Sequence, residues 1–160
     1  MLVKGTRILV REEGQRLAVE NLKISDLVFD PFADKYCEIV DILARSVALD
    51  PPPRGQTKHP LQPVRLNCDA LGQGRPSETI LVSPSQGILT VSKDDKGDIP
   101  STQLVTASSI SDSATSSERS IVTEFKYFAL FTEKPQYLDV SGLLLTTYSN
   151  DVYKTAQEAV

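Results

Sequence analysis

Residues 121–131 read Ile-Val-Thr-Glu-Phe-Lys-Tyr-Phe-Ala-Leu-Phe, and this stretch decides the fold class. β-Branched and aromatic residues fill it, and such residues favour a pleated, half-buried strand. The chain then turns at residues 133–135, and two further apolar runs follow, Tyr137–Val140 and Leu143–Tyr148, with Gly142 between them at a predicted kink. The last third of the chain therefore predicts strands rather than helices.

The first half of the chain shows the same pattern of short apolar runs separated by turn residues. Thr6–Val10 and Arg16–Val19 flank a polar turn that contains Gly14, which predicts a hairpin. Residues 37–49 carry some apolar residues at helical spacing, but their β-branched residues and the flanking turns favour a strand. Many short strands without alternating helices predict an all-β fold, either a sandwich or a closed horseshoe.

The chain has 160 residues, which is the length of one ordinary domain. Its apolar fraction of 40% and its charged fraction of 24% are those of a folded domain rather than of a disordered chain. We assign residues 1–149 to one β domain and residues 150–160 to a short C-terminal tail. Within the domain, the serine-dense stretch 108–120 is predicted to be a mobile loop, because strands are predicted on both sides of it.

Charge and hydropathy argue against two classes of partner. The net charge of −4 provides no basic surface for nucleic acid, so nucleic acid is not expected as a partner. No apolar run is long enough to cross a bilayer, and no membrane association is expected. The first residues do not form a signal peptide. We therefore expect a cytoplasmic protein, with leaderless secretion as the alternative.

Few side chains are available for metal or acid–base chemistry. Cys37 and Cys68 are too few for a disulfide framework or a structural zinc site, and we interpret them as reduced thiols, with a single disulfide between them as the alternative. His59 is the single histidine, so neither a histidine-rich metal site nor a multi-histidine proton relay can form. Neither a glycine-rich phosphate loop nor a Cys-x-x-Cys pair occurs, and no cofactor or metal is expected.

Three groups of segments form a pattern when they are taken in order. They are Met1–Leu9 with Leu17–Val28, then Pro63–Leu66 with Ala70–Pro76 and Leu81–Gln86, and finally Phe125–Phe131 with Gly142 and Thr147-Tyr148. Together they resemble the Hint domain shared by hedgehog proteins and inteins, in particular its stand-alone bacterial branch, over residues 1–149. The resemblance implies a β-rich horseshoe with pseudo-two-fold halves and a site at the start of the domain.

The resemblance also implies how such a site would work. In active members a Cys or Ser that begins the domain attacks the preceding carbonyl, and a histidine of the middle motif protonates the departing nitrogen. Here the nucleophile position is Met1, whose thioether has no ionisable proton, and the histidine position is Gln86, whose carboxamide cannot protonate an amine near neutral pH. Thr6 and Ser83 are further candidate residues of the site frame.

The third motif and the end of the chain depart from active members in the same way. Ala129 and Pro135 stand where relatives often carry histidine, and no His-Asn pair precedes the end of the chain. These departures predict that self-processing has been lost. We interpret Met1 as the initiator. The alternative is that a native nucleophile at residue 1 was replaced or trimmed, and Gln86 would still oppose catalysis in that case.

Three functions remain open. The one we favour is a non-catalytic Hint-like module that binds a protein partner or its own flanking segment, or that packs as a structural unit. The second is an autoprocessing Hint domain that cleaves the peptide bond before residue 1. The third is an unrelated all-β binding protein, for which Met1 and Gln86 would lie far apart.

The other reactive side chains are weaker candidates with ordinary structural explanations. We interpret a histidine beside a proline as a surface residue, hydroxyls at turns as partners of the local backbone, and isolated carboxylates as turn or strand-end residues. The alternative roles are a surviving base for His59 and a pair of acids for Asp26 and Asp139. The alternative role for the thiols and hydroxyls is that of a nucleophile, and it concerns Cys37, Cys68, Thr6, Ser83 and Ser85.

Overall fold

The computed structural model describes residues 1–50, 61–93, 100–113, 117–119 and 124–149. Within these ranges the chain forms fifteen strands, one 3-10 turn and one short helix, which confirms the predicted all-β class. The strands up to residue 66 are β1 (Leu2–Val3), β2 (Arg7–Leu9), β3 (Arg16–Ala18), β4 (Leu27–Asp30), β5 (Lys35–Glu38), β6 (Asp41–Ala48) and β7 (Val64–Leu66). The later strands are β8 (Ile80–Val82), β9 (Gly87–Lys93), β10 (Pro100–Thr106), β11 (Ser117–Arg119), β12 (Glu124–Thr132), β13 (Tyr137–Val140), β14 (Leu143–Thr146) and β15 (Tyr148–Ser149). The 3-10 turn spans Val19–Asn21, and helix α1 spans Ala107–Ser113.

The larger sheet is organised around β12. Along one edge, β12 pairs antiparallel with β6 over eight register positions. Its other edge pairs antiparallel with β1 and, further along, parallel with β15. β1 continues to β8, β7 and β11, so that the order is β11-β7-β8-β1-β12-β15 with β6 on the opposite edge of β12. β1 therefore lies between two long-range partners inside the sheet.

The continuous apolar run of β12 reflects this central position. Every residue from Tyr127 to Thr132 is buried, so both faces of the strand are covered. A strand covered on both faces reads as an unbroken apolar run rather than as an alternating one. The stretch that indicates strand most strongly in the sequence is thus the middle of the larger sheet.

The core lies between the larger sheet and a smaller sheet of order β10-β9-β14-β13. Two hairpins, β2-β3 and β4-β5, complete the structure of the described residues. The buried side chains from the two sheets form one apolar cluster. Its members include Leu2, Val64, Leu66, Val82, Phe128 and Leu130 from the larger sheet and Ile88, Leu138, Val140, Leu143 and Leu145 from the smaller one.

Two turns show how the local sequence directs the chain. Gly14 has a φ of +99° in the β2-β3 turn, and its N–H donates to the Arg11 carbonyl at 3.0 Å, which confirms the predicted hairpin. After β4, the buried carboxylate of Asp30 accepts hydrogen bonds of 2.9 Å from the N–H groups of Phe32 and Ala33. The same carboxylate accepts from Tyr137 N–H at 3.1 Å and so joins this turn to β13.

The structure corrects one prediction and confirms another. The stretch 108–120 contains most of helix α1 and the whole of β11, so the loop interpretation is wrong for those residues. The hydroxyl of Thr106 accepts from Ser109 N–H at 3.4 Å at the start of the helix, and Ala107 and Ile110, three residues apart, are buried in the core. Within residues 37–49 the chain is strand rather than helix, as predicted, in the end of β5 and in the whole of β6.

Some predictions fall outside the described residues. They concern His59, residues 114–116 and 120 of the serine-dense stretch, residues 121–123 of the apolar run quoted first, and the tail 150–160. Where the chain is described, none of its helices has the length and apolar composition needed to cross a membrane.

Candidate functional site

The nitrogen of Met1 lies at the point where three distant parts of the chain meet. β1 pairs with β8 through Leu2 and Val82, and the ladder extends to residue 1 because Ser83 N–H donates to the Met1 carbonyl at 2.9 Å. On its other edge β1 pairs with Phe128 of β12. The main chain of residue 1 is therefore fixed at the rim of the larger sheet.

Three side-chain oxygens surround this nitrogen. As an ammonium group it donates hydrogen bonds to Ser83 Oγ at 2.6 Å, to Gln86 Oε1 at 2.8 Å and to the Tyr148 hydroxyl at 2.8 Å. As a neutral amine it has two hydrogens, so it donates two of these bonds and accepts the third from one of the two hydroxyls. We call this set, Ser83, Gln86 and Tyr148, the nitrogen cradle. Its members follow β8 and begin β15, so it forms only when these two segments meet at the start of β1.

The orientation of the Gln86 carboxamide is determined by its own donors. Its Nε2 group donates to the carbonyls of Gly87 and Thr146, both at 3.0 Å, and the residue is only 1% exposed. With both amide hydrogens used, the oxygen is the atom that faces residue 1. Gln86 therefore accepts a hydrogen bond from the nitrogen and has no proton to give it.

Helix α1 supports the loop that carries Ser83 and Gln86. The N–H of Ala107 donates to the Gln86 carbonyl and the N–H of Ser108 to the Pro84 carbonyl, both at 2.9 Å. Gln86 N–H also donates to the Ser83 carbonyl at 3.0 Å and closes a tight turn. Free N–H groups at a helix start are available for such contacts. The stretch predicted as a loop thus positions the candidate site.

Tyr148 is the member of the cradle that sequence reasoning missed. Its segment is anchored next to it, because Thr147 Oγ1 lies 2.6 Å from Thr132 Oγ1 and accepts from Gln136 N–H at 2.9 Å. The ring packs 5.6 Å from that of Phe131. Thr147-Tyr148 belongs to the third motif, and that membership is the one sequence signal that pointed to this residue.

Burial governs the protonation of these groups. The pKa of the Met1 amine is lowered from 8.0 to about 5, because burial penalises the charged form. The pKa of Tyr148 is raised by burial, which outweighs the opposite effect of its hydrogen bond to Ser83. The phenol, the Ser83 hydroxyl and the Gln86 carboxamide are all neutral near pH 7. The cradle can hold and orient a nitrogen, but it holds no side chain that exchanges a proton near neutrality.

The structure places the predicted residues unequally. Met1, Ser83 and Gln86 come together, whereas Thr6 is not part of the cradle: its hydroxyl donates to the Val3 carbonyl at 2.6 Å and closes the turn after β1. Of the two positions where relatives carry histidine, Ala129 is buried in β12 and Pro135 is exposed after it. The contact between Met1 and Gln86 contradicts the reading in which these residues lie far apart.

The weaker candidates have local partners of their own. The Cys37 thiol donates to the Val28 carbonyl, and its pKa is raised to about 11, first by burial and then by Asp30. Cys68 is exposed, and both cysteines are free. Ser85 is exposed in the loop beside Gln86.

The two carboxylates proposed as a pair are engaged separately. Asp26 accepts from Lys23 N–H at 2.8 Å, whereas Asp139 forms an ion pair of 2.7 Å with Arg16. Across the described ranges, no group of three or more His, Cys, Asp or Glu side chains comes together in a way that could hold a metal ion.

Comparison with known proteins identifies a family. The model of the family described as the Hint domain matches residues 1–152. No curated protein matches the chain.

Proposed function

The chain belongs to the Hint domain family, and from that premise we propose that it is a Hint domain that binds rather than cleaves. In this proposal the centre of the domain holds the main-chain nitrogen of residue 1 in place, and no self-processing follows. The domain then acts as a protein-interaction or structural module whose partner is a protein or the segment that flanks it. Residues 1–149 are the folded unit in this proposal.

One observation carries the proposal, namely the composition of the nitrogen cradle. Acyl transfer at this position needs a nucleophile on residue 1 and a proton donor for the departing nitrogen. Met1 offers a thioether, and the nearest contacts of its nitrogen are two hydroxyls and a carboxamide oxygen. The hydrogen bonds to the Gly87 and Thr146 carbonyls use both amide hydrogens of Gln86. Every contact at the site holds the residue-1 nitrogen in place, and none of the contacting side chains is a general acid near neutral pH.

The alternative is an autoprocessing domain whose nucleophile at residue 1 was replaced. The contact between the residue-1 nitrogen and Gln86 supports it as the second candidate, since the distance is 2.8 Å and the resemblance assigns Gln86 to the position of the assisting histidine. Under this alternative a thiol at residue 1 would attack the preceding carbonyl. The two candidates differ in what the unaltered chain does.

The test is a fusion in which a carrier protein precedes residue 1. Incubation of the unaltered fusion with dithiothreitol or hydroxylamine is expected to leave it intact, as followed by gel electrophoresis and mass spectrometry. Release of the carrier from this fusion would refute the proposal. The matched variants are Met1→Cys alone and Met1→Cys with Gln86→His. If neither of them releases the carrier, the alternative is eliminated as well.

A further inference from the structure

The outer face of the smaller sheet carries a row of leucines. Leu104, Leu89 and Leu144 are register partners across β10, β9 and β14, so they stand side by side on one face. Their chain neighbours Ile88 and Leu145 point to the opposite face and belong to the core. A sheet that covers the core with one face usually exposes a polar face to solvent. Here this face is apolar and only partly covered, since Leu89 is 8% exposed and Leu104 is 57% exposed.

A cavity of about 350 Å³ opens over this row. Leu89, Val91 and Leu144 form its floor, and its walls come from the turn with Phe32 and the loop with Leu71 and Arg75. Cavities that bind small molecules have volumes of about 300 to 1,000 Å³ and mostly apolar walls. The volume and the lining of this cavity match those of a site for a small apolar molecule.

The rim of the cavity exposes large apolar side chains. Phe32 and Val91, which line the cavity, are 52% and 39% exposed. Single exposed apolar residues are common, but a contiguous apolar surface beside a cavity usually marks a binding site. A ligand that fills the cavity would cover these side chains as well.

The charged groups at the cavity favour an anion. Asp139 is already engaged, because its carboxylate pairs with Arg16 at 2.7 Å and accepts from Gly142 N–H at 3.2 Å. Arg75 also lines the cavity, and in the described part of the chain its side chain has no hydrogen bond or ion pair. Its backbone is held in a turn, with its N–H on the Gly72 carbonyl at 2.9 Å. The lining therefore presents one uncompensated positive charge beside an apolar floor.

We propose that this cavity binds a medium-chain aliphatic carboxylate, with the chain over Leu89, Val91 and Leu144 and the carboxylate on Arg75. Arginine suits this role because its planar group donates two parallel hydrogen bonds to a carboxylate. The cavity lies on the outer face of the smaller sheet and involves no residue of the nitrogen cradle. The proposal is thus independent of the function proposed above.

The test titrates the 160-residue chain with octanoate, decanoate and 1-octanol, followed by ¹H–¹⁵N NMR shifts and by calorimetry. Saturable binding of octanoate is expected, with the largest shifts on β9, on β14 and around Arg75. Decanoate should bind about tenfold more tightly, because two more methylene groups are buried. The uncharged 1-octanol should bind more weakly than octanoate, since it lacks the charge that Arg75 recognises.

Two substitutions with matched controls separate the head group from the chain. Arg75→Gln should weaken octanoate binding at least tenfold and leave 1-octanol binding unchanged, whereas Arg45→Gln on the exposed strand β6 should alter neither. Val91→Trp should fill the cavity and remove the binding of both ligands, whereas Leu43→Trp, at the 43% exposed Leu43 of β6, should not. Urea unfolding of each variant verifies that it is folded. Absence of saturable binding, equal effects of Arg75→Gln and Arg45→Gln, or full binding by Val91→Trp would each overturn the proposal.

Discussion

The side-chain oxygen of Gln86 accepts a hydrogen bond of 2.8 Å from the main-chain nitrogen of Met1, which lies 85 residues earlier in the chain. With its two donated bonds, the Gln86 side chain is part of three hydrogen bonds while almost fully buried. A fully satisfied buried polar group specifies one arrangement of the segments that it joins. In this chain the contact joins β1, the loop after β8 and β14 at a single side chain.

Replacing Gln86 by alanine should therefore destabilise the fold. The substitution removes the hydrogen bonds to the carbonyls of the half-buried residues Gly87 and Thr146 and the bond from the residue-1 nitrogen, at a cost of about 3 kcal/mol in the free energy of unfolding. Urea unfolding followed by circular dichroism measures this. The matched control is Gln103→Ala on the exposed strand β10, for which about 0.5 kcal/mol or less is expected. Equal losses in the two variants would contradict a structural role for Gln86.

The free energy of unfolding should fall between pH 8 and pH 5 when the chain carries a free amine on Met1. The pKa of that amine is lowered from 8.0 to about 5 by burial, so in this interval the unfolded chain binds a proton that the folded chain does not. Stability is then highest above pH 8 and decreases as the pH falls through about 5. The full effect is at most about 4 kcal/mol.

The control for this pH dependence is the same chain with an acetylated residue 1. Acetylation removes the titration of the amine and leaves every other ionisable group unchanged. The difference between the two stability profiles, measured by urea unfolding at half-unit steps of pH, isolates the amine. Parallel profiles from pH 8 to pH 5 would rule out the buried, uncharged amine.

The half-buried Tyr148 hydroxyl should contribute more to the free energy of unfolding than the exposed hydroxyl of Tyr36 does. Tyr148→Phe removes one acceptor of the residue-1 nitrogen and should lower the free energy of unfolding by about 1 kcal/mol. Tyr36→Phe is the matched control, because the Tyr36 hydroxyl accepts a longer, exposed hydrogen bond of 3.3 Å from Glu12 N–H. If the control lost as much stability as Tyr148→Phe, the cradle would not be the cause.

Two glycines with positive φ should respond very differently to alanine. Gly142 has a φ of +85°, and a Cβ atom there would lie 2.8 Å from the Gly74 carbonyl oxygen, so strain and a backbone clash add. Gly14 has a φ of +99° and open space around it, so strain acts alone. We expect losses of about 3 kcal/mol for Gly142→Ala and about 1 kcal/mol for Gly14→Ala. Thermal or urea unfolding measures both, and a smaller loss at Gly142 than at Gly14 would be the contrary result.

The fold class could be predicted because strands and turns are indicated by short stretches of neighbouring residues. The apolar run of β12 and the Gly14 turn each indicate their structure within a few residues. Helix α1 was missed because its serines favour loops by composition, while the signals for a helix are the single cap at Thr106 and the spacing of Ala107 and Ile110. The order of the strands could not be predicted from local patterns, since the partners of β1 lie some 80 and 126 positions away in the chain.

The site was predictable to the extent that a motif marked it. Met1, Ser83 and Gln86 follow from the order of the motifs, and the structure brings them into contact. Tyr148 is in the same motif set, but nothing in its sequence neighbourhood indicates that its hydroxyl reaches residue 1. Thr6 belongs to the opening motif, but its hydroxyl stabilises the turn after β1 and does not contact the site. The site is formed by contacts between segments that are distant in the chain, and the spacing of residues in the sequence does not predict those contacts.

The pairing of β1 also determines when the domain can close during synthesis. Leu2 needs Val82 on one side and Phe128 on the other, and the residue-1 nitrogen needs Tyr148. A growing chain offers these partners in that order, and the last of them emerges from the ribosome only when nearly the whole domain has been made. Until Val82 emerges β1 has no strand to pair with, and until Phe128 emerges one of its edges stays accessible to chaperones and proteases. A nascent chain that stops short of Tyr148 should therefore leave the nitrogen of residue 1 open to solvent, however much of the sheet has already formed.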